Sequence, residues 1–269
     1  MSFLTLADGA RLRCADRGAG PPVVLVHGWK GSHRLWDPTA VALVAGGHRV
    51  VAFDLRGMGE SDKPRSAYDF DVFADDLAEL LERLELEDAT LVGWSMGCTV
   101  VLRHLERGAL RVGRAVLLNG PLRLTRADDF PHAMPAEQLD SYLAAMAEDW
   151  PRSERAFQAE SLLRDDPELV DWLTGIALQT PLDVALATVR AQATLDMRDA
   201  VRRAPVPLLA AYGRHDPYYP TTLGDWISDA APDGRAVVFE HSAHGTPFEE
   251  PAAFAGAVAA FARETGAVA

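Results

Sequence analysis

The sequence predicts an α/β fold built on a mostly parallel sheet. Short apolar runs recur along its 269 residues, and amphipathic segments separate them. Runs that are apolar at every position are typical of strands that helices cover on both faces. Their alternation with helical segments is typical of α/β proteins, and the length suffices for one large unit of this kind or two small ones.

Six of these runs are the predicted strands. Each is short and rich in β-branched residues or leucine, which pack well on a pleated surface. They cover residues 23–26, 50–53, 90–92, 115–118, 208–211 and 236–239.

Amphipathic periodicity predicts the helices between these strands. The clearest covers residues 71–84, where apolar residues recur at helical spacing on one face and acidic residues occupy the other. A second helix is predicted over residues 96–107, before Gly108, and a third over residues 252–264, after Pro251.

Residues from 121 to about 204 interrupt the alternation. No β-rich run occurs there, and leucine, tyrosine, methionine and tryptophan residues fall at helical spacing. We expect a mainly helical insertion between two strands, divided into short helices by prolines. These prolines are Pro131, Pro135, Pro151, Pro167 and Pro181.

Composition excludes several classes of partner. Acidic residues outnumber basic ones by 39 to 26, a net charge of −13, and no basic cluster is present, so nucleic acid and anionic membrane surfaces are excluded.

We expect a cytoplasmic protein, because no secretory signal or membrane-spanning run is evident and Cys14 and Cys98 do not make a disulfide framework. The sequence leaves the oligomeric state open.

Residues 93–97 read Gly-Trp-Ser-Met-Gly, between a predicted strand and a predicted helix. This G-x-S-x-G pattern in a strand–turn–helix context is typical of a nucleophile elbow, where small flanking residues allow a sharp turn that exposes the serine hydroxyl. Ser95 is therefore the predicted nucleophile.

A serine nucleophile needs a base, which a carboxylate usually orients. Asp216 lies just past the predicted strand 208–211, and His244 lies just past the predicted strand 236–239. We expect His244 to be the base and Asp216 its acid. The backbone N–H groups of Met96 and Trp29 are the expected oxyanion donors, because the first follows the nucleophile and the second lies in a glycine-flanked loop.

These motifs together resemble the α/β-hydrolase family over nearly the whole chain. The matching segments are residues 27–29, 54–64, 93–97 and 213–216, with His244 followed by Glu250 and Pro251. Met58 departs from the pattern, since the family commonly has His or another aromatic residue there. The resemblance implies an eight-stranded, mostly parallel sheet with a helical lid after the sixth strand. The predicted core is residues 1–120 and 201–269, and the predicted cap is residues 121–200.

Within this family the sequence is most similar to small esterases, cofactor-independent haloperoxidases or perhydrolases, and lactonases. The expected function is that of a cofactor-independent serine hydrolase that cleaves a small to medium, largely apolar carboxylic ester or lactone through an acyl-enzyme on Ser95. The same triad would serve acyl transfer, perhydrolysis, or thioester or C–C bond cleavage, and a non-catalytic ligand-binding role is a further alternative. In a variant branch of the family the triad acid lies at the end of the strand before the lid, where this sequence has Asn119. An amide cannot stabilise the imidazolium by charge, so Asp216 is preferred as the triad acid.

Large apolar residues are the predicted pocket lining. We expect substrate-binding contacts from Trp29, Trp94, Tyr142, Met146 and Trp150.

No metal site is predicted, because the His241 and His244 pair lacks the helical spacing and the third ligand of a zinc centre. His27 is expected to be structural.

Overall fold

An eight-stranded sheet forms the centre of this computed structural model, which describes residues 2–65 and 68–264. The strands are β1 Ser2–Thr5, β2 Arg11–Arg17, β3 Pro22–Val26, β4 Arg49–Phe53, β5 Ala89–Trp94, β6 Val112–Leu118, β7 Leu208–Gly213 and β8 Gly234–Phe239. They are ordered β1-β2-β4-β3-β5-β6-β7-β8. All pairs from β4 to β8 are parallel, and β1 and β2 are antiparallel additions at one edge, so the predicted fold class is confirmed.

Helices cover both faces of the sheet. They are α1 Asp37–Ala45, α2 Phe70–Arg83, α3 Met96–Glu106, α4 Ala136–Glu148, α5 Trp150–Glu160, α6 Pro167–Ala177, α7 Leu182–Ala193, α8 Arg198–Arg202, α9 Thr221–Ala230, α10 Thr246–Glu249 and α11 Pro251–Ala262. The three helices predicted individually are confirmed as α2, α3 and α11, with ends displaced by at most two residues. The predicted core also contains residues 1, 66–67 and 265–269, which lie outside the described residues.

The sheet separates two apolar clusters. Val24 and Val26 of β3 belong to the cluster that α2, α3 and α9 cover, whereas Val23 and Leu25 belong to the cluster under α1 and α11. Successive side chains of a strand point to opposite faces, so a strand buried on both sides must be apolar throughout. This is why the predicted strands that correspond to β3, β4, β5, β6 and β7 were recognisable as apolar runs, whereas β8 lies at the edge of the sheet and is only partly buried.

The helical insertion between β6 and β7 contains α4 to α7, residues 136–193, and the short helix α8. Four of the five prolines mark the starts of helices as expected, whereas Pro131 lies in the irregular segment before α4. Pro151 and Pro167 occupy the first turns of α5 and α6, and Pro135 and Pro181 immediately precede α4 and α7. Proline suits these positions because the first turn of a helix leaves its N–H groups without helical partners.

The loop after β4 is fastened to the chain segment after β3. Asp54 Oδ1 accepts hydrogen bonds from the backbone N–H and the Nδ1 of His33, and Oδ2 accepts one from the backbone N–H of Glu60. Burial opposes ionisation of Asp54, but the hydrogen bonds from His33 and the charge interactions with His27 and His33 together outweigh it, so the pKa of this carboxyl lies below its ordinary value. Among the helices that the structure describes, none combines the length and apolar character needed to cross a membrane.

Candidate functional site

Ser95 lies at a sharp turn between β5 and α3. Its backbone is in the left-handed region, with φ 54° and ψ −119°, which a non-glycine residue adopts only where the surrounding structure holds it. A Cβ atom at Gly93 would lie 2.6 Å from the carbonyl oxygen of Gly97, and one at Gly97 would lie 2.3 Å from that of Val26. The two glycines of the motif are therefore required by close backbone packing.

His244 and Asp216 form a hydrogen-bonded pair beside this turn. His244 Nδ1 lies 2.8 Å from Asp216 Oδ2. The other carboxylate oxygen of Asp216 accepts the backbone N–H groups of Tyr218 at 2.8 Å and Tyr219 at 3.1 Å. These contacts hold the carboxylate in one orientation, and the carboxylate directs the Nε2 edge of the imidazole away from itself.

Asn119 joins the loops that carry these two residues. Its amide nitrogen donates to the carbonyl oxygens of Ala243 and His244, and its Oδ1 accepts the backbone N–H of Gly213, the last residue of β7. The Trp94 indole N–H also donates to the His244 carbonyl oxygen, at 3.0 Å. Asn119 thus contacts the backbone at His244 and not its ring, a role that the sequence did not reveal.

The loop after β3 lies against the serine turn. A Cβ atom at Gly28 would lie 3.2 Å from both Ser95 Cβ and the Trp94 carbonyl oxygen. His27 is fully buried, and its Nε2 accepts the backbone N–H of Leu55 at 2.9 Å. Burial lowers the pKa of His27, so the neutral ring that this acceptor role requires is favoured.

The same loop is tied to the helical insertion. The Trp29 indole N–H donates to the carbonyl oxygen of Ala185 in α7 at 3.0 Å. The neighbouring Lys30 reaches Glu154 of α5, and both side chains are fully buried. Neither charged residue was predicted from the sequence to have a functional role. The only local signal was a lysine inside a glycine-flanked turn, and its buried partner lies 124 residues away.

A cavity of about 190 Å³ opens at Ser95 and His244. Predicted pocket residues Trp29, Trp94 and Tyr142 line it, as does Met96. Among the described residues, its lining does not include Met146 or Trp150. Met146 is fully buried within the protein, and the Trp150 ring instead lies 5.3 Å from the Lys30 ammonium. Helical spacing identified the apolar faces of α4 and α6 but not which side chains of the insertion meet the cavity.

Most of the remaining lining is apolar. Residues of the insertion and its flanks contribute Leu124, Leu139, Phe157, Leu173, Ile176 and Val189. Polar lining comes from Lys30, Gln138, Gln158, Glu160, Ser161 and Gln192. A cavity whose lining is mainly apolar suits a largely uncharged ligand.

Other reactive side chains near the site do not join it. Cys98 is buried, its Sγ lies 3.1 Å from the Gly93 carbonyl oxygen, and burial raises the pKa of its thiol. His215 is exposed and does not line the cavity. Within residues 2–65 and 68–264, no group of three or more His, Cys, Asp and Glu side chains is arranged to hold a metal ion.

Comparisons with known proteins agree with this architecture. A sequence profile for the alpha/beta hydrolase fold matches residues 21–251. A putative non-heme chloroperoxidase of Synechocystis sp. is 36% identical over 215 residues, covering 76% of this chain and 77% of that protein. The non-heme chloroperoxidase CPO-A1 of Kitasatospora aureofaciens is 31% identical over 256 residues, covering 91% and 92%. The solved structure of the esterase EaEST of Exiguobacterium antarcticum is similar with a TM-score of 0.93 and 26% identity, covering 98% of this chain and 99% of that one.

Proposed function

The chain belongs to the α/β-hydrolase family, and within it we propose a cofactor-independent serine hydrolase that cleaves a small to medium, largely apolar carboxylic ester or lactone. The observation that carries the proposal is the arrangement around one cavity. Ser95 lies on its strained turn, and His244 is hydrogen-bonded to Asp216 at 2.8 Å. Ser95 and His244 both line the apolar cavity.

In this mechanism Ser95 Oγ attacks the substrate carbonyl carbon, and His244 accepts the hydroxyl proton. His244 then returns the proton to the leaving alcohol, which leaves an acyl group on Ser95. Asp216 accepts the Nδ1–H bond, so the imidazole presents its Nε2 as the base, and the carboxylate stabilises the imidazolium that forms. Water activated by His244 then hydrolyses the acyl-enzyme.

We assign the oxyanion donors to the backbone N–H groups of Trp29 and Met96. Met96 is the first residue of α3, where N–H groups have no helical partner. The close approach of Gly28 to Ser95 supports a donor from the adjacent peptide. In other enzymes one such donor contributes about 3–4 kcal/mol of transition-state stabilisation.

The helical insertion acts in this proposal as the cap that sets substrate size. Residues 121–200 supply most of the lining remote from Ser95, and the core, residues 1–120 and 201–269, supplies the reacting groups. Acyl and alcohol groups are then accommodated by aromatic and aliphatic side chains. We therefore expect uncharged esters of moderate chain length to be preferred over charged ones.

The test combines covalent labelling with turnover. Wild type should be labelled by a fluorophosphonate at Ser95, located by mass spectrometry, and should hydrolyse p-nitrophenyl esters with an optimum chain length. Ser95→Ala should abolish both, whereas Ser141→Ala, at an exposed serine of α4, should change neither. Full ester turnover by Ser95→Ala would refute the acyl-enzyme mechanism.

The similarity to two non-heme chloroperoxidases favours a second acceptor, hydrogen peroxide in place of water. Attack of peroxide on the acyl-enzyme would give a peroxycarboxylic acid and free Ser95, with no change of oxidation state on the protein. Product analysis with an ester and increasing peroxide should show peroxy acid formed at the expense of carboxylic acid. Formation of carboxylic acid alone would exclude this activity.

A further inference from the structure

A fully buried ion pair connects the loop after β3 to the helical insertion. The Lys30 ammonium lies 2.5 Å from Glu154 Oε2 and 3.2 Å from the Tyr142 hydroxyl. It also lies 3.8 Å from the centre of the Trp29 ring and 4.4 Å from that of Phe157. The ammonium is thus enclosed by one carboxylate, one hydroxyl and aromatic faces, which are groups that attract a cation.

The backbone at Lys30 has a conformation that is uncommon for a lysine. The Gly31 N–H donates to the Gly28 carbonyl oxygen at 3.1 Å, which closes a four-residue turn. Lys30 is the third residue of that turn and has φ 61°, a conformation for which glycine is the usual choice. A lysine stays there only where other contacts over-determine it, and the contacts of its ammonium do so.

Glu154 makes the connection specific to α5. Its other oxygen, Oε1, accepts the side-chain amide of Gln158 at 2.7 Å, so both carboxylate oxygens have donors. Burial lowers the pKa of Lys30, and the neighbouring carboxylate opposes that change. Removal of either partner would leave the other charge buried without compensation, which is strongly destabilising.

Trp29 also connects the loop after β3 to the helical insertion. Its ring contacts the Lys30 ammonium, and its indole N–H is bound by Ala185 of α7. The peptide of Trp29 therefore lies between a side chain anchored on α7 and a following residue anchored on α5. The helical insertion therefore holds the side chains of both Trp29 and Lys30.

We propose that Lys30 and Glu154 are positioning residues that hold the Trp29 backbone N–H towards the oxyanion, so that transition-state stabilisation depends on the packing of α5 against the core. The inference rests on the proposed serine hydrolase function. It adds a role for two residues that neither react nor bind the reacting carbonyl group.

The test is the double variant Lys30→Met/Glu154→Leu, which removes both charges together and leaves neither unpaired. Replacing a whole buried pair by apolar residues is often neutral, so we expect a Tm within about 3 °C of wild type. A misplaced donor weakens transition-state binding more than substrate binding, so we expect kcat on p-nitrophenyl esters to fall about 10- to 100-fold while KM changes less than about 3-fold. A purely structural pair would leave kcat unchanged in a folded variant.

The matched control is Arg155→Met, which removes an exposed ion pair between Arg155 of α5 and Asp171 of α6. Its kcat and Tm should match wild type. Should the double variant fail to fold, Lys30→Gln/Glu154→Gln removes both charges together and keeps a donor and an acceptor that can pair with each other. It should lower kcat in the same direction by a smaller factor, and an unchanged kcat would overturn the proposal.

Amide hydrogen exchange provides a readout that does not depend on activity. Exchange in peptides covering residues 28–31 should be faster in the double variant than in wild type, and unchanged in Arg155→Met. Equal exchange in all three proteins would overturn the positioning role. Wild type that is neither labelled at Ser95 nor active on esters would instead refute the proposed function, whatever the exchange result.

Discussion

Substitution of Asn119 by aspartate tests how the loop that carries His244 is held. Asn119 is the single asparagine of the sequence, and its side chain is fully buried. Its amide nitrogen lies 3.0 Å from the His244 carbonyl oxygen and 3.2 Å from that of Ala243, and its Oδ1 accepts the Gly213 N–H at 2.8 Å. Aspartate keeps the shape and the acceptor, and it tolerates the φ of 46° at this position. The aspartate side chain has an oxygen at the position of the amide nitrogen that donates these two hydrogen bonds.

The expected loss of stability depends on pH. Burial beside two carbonyl oxygens raises the pKa of the new carboxyl, so the ionised form costs about 4 kcal/mol of unfolding free energy at pH 8. A pKa raised by folding gives stability that is present at low pH and lost as pH rises. At pH 5 the protonated carboxyl can donate one hydrogen bond to His244, and the loss falls to about 1.5 kcal/mol. At about 2–4 °C per kcal/mol, Tm should fall by about 8–16 °C at pH 8 and about 3–6 °C at pH 5.

The assay is thermal unfolding followed by circular dichroism at both pH values. Gln179→Glu is the control, because it makes the same chemical change at an exposed position. Its Tm should stay within about 1 °C of wild type at each pH. A deficit in Asn119→Asp that is equal at pH 5 and pH 8, or smaller than about 2 °C at pH 8, would refute the reasoning about the amide donor.

Three further outcomes are expected. Asp216→Asn should lower kcat on p-nitrophenyl esters by about 10⁴-fold, because the amide favours the wrong imidazole tautomer, and a loss below 10-fold would contradict this. Gly93→Ala should lower the free energy of urea unfolding by about 3 kcal/mol or more, since its Cβ would lie 2.6 Å from the Gly97 carbonyl oxygen, and wild-type stability would show that the turn relaxes. Burial raises the pKa of the Cys14 thiol to about 12 and that of Cys98 as well, so neither should react with a disulfide reagent at pH 8 until guanidinium unfolds the protein. Rapid reaction of the native protein would count against both burial assignments.

Local patterns in the sequence accounted for six of the eight strands, three of the helices and the turn at Ser95. Continuous apolar runs indicated strands buried on both faces, and this is what β3 shows with alternate residues in two clusters. The G-x-S-x-G motif indicated a sharp turn, because two glycines are needed where backbone segments approach closely. Prolines marked where α4 to α7 begin. These signals are readable because each depends on residues close together in the chain.

By itself the sequence therefore determined the fold class, the helical insertion and the candidate reacting residues Ser95, Asp216 and His244. Only the tertiary structure decided that Lys30 pairs with Glu154, that Asn119 clamps the His244 loop, and that Met146 and Trp150 lie outside the cavity lining. The sequence around a charged residue is the same whether its side chain is exposed to solvent or paired in the interior. Helical periodicity likewise does not identify the element that packs against each face of a helix. Those outcomes depend on how segments more than a hundred residues apart pack together, and packing is a property of the whole fold.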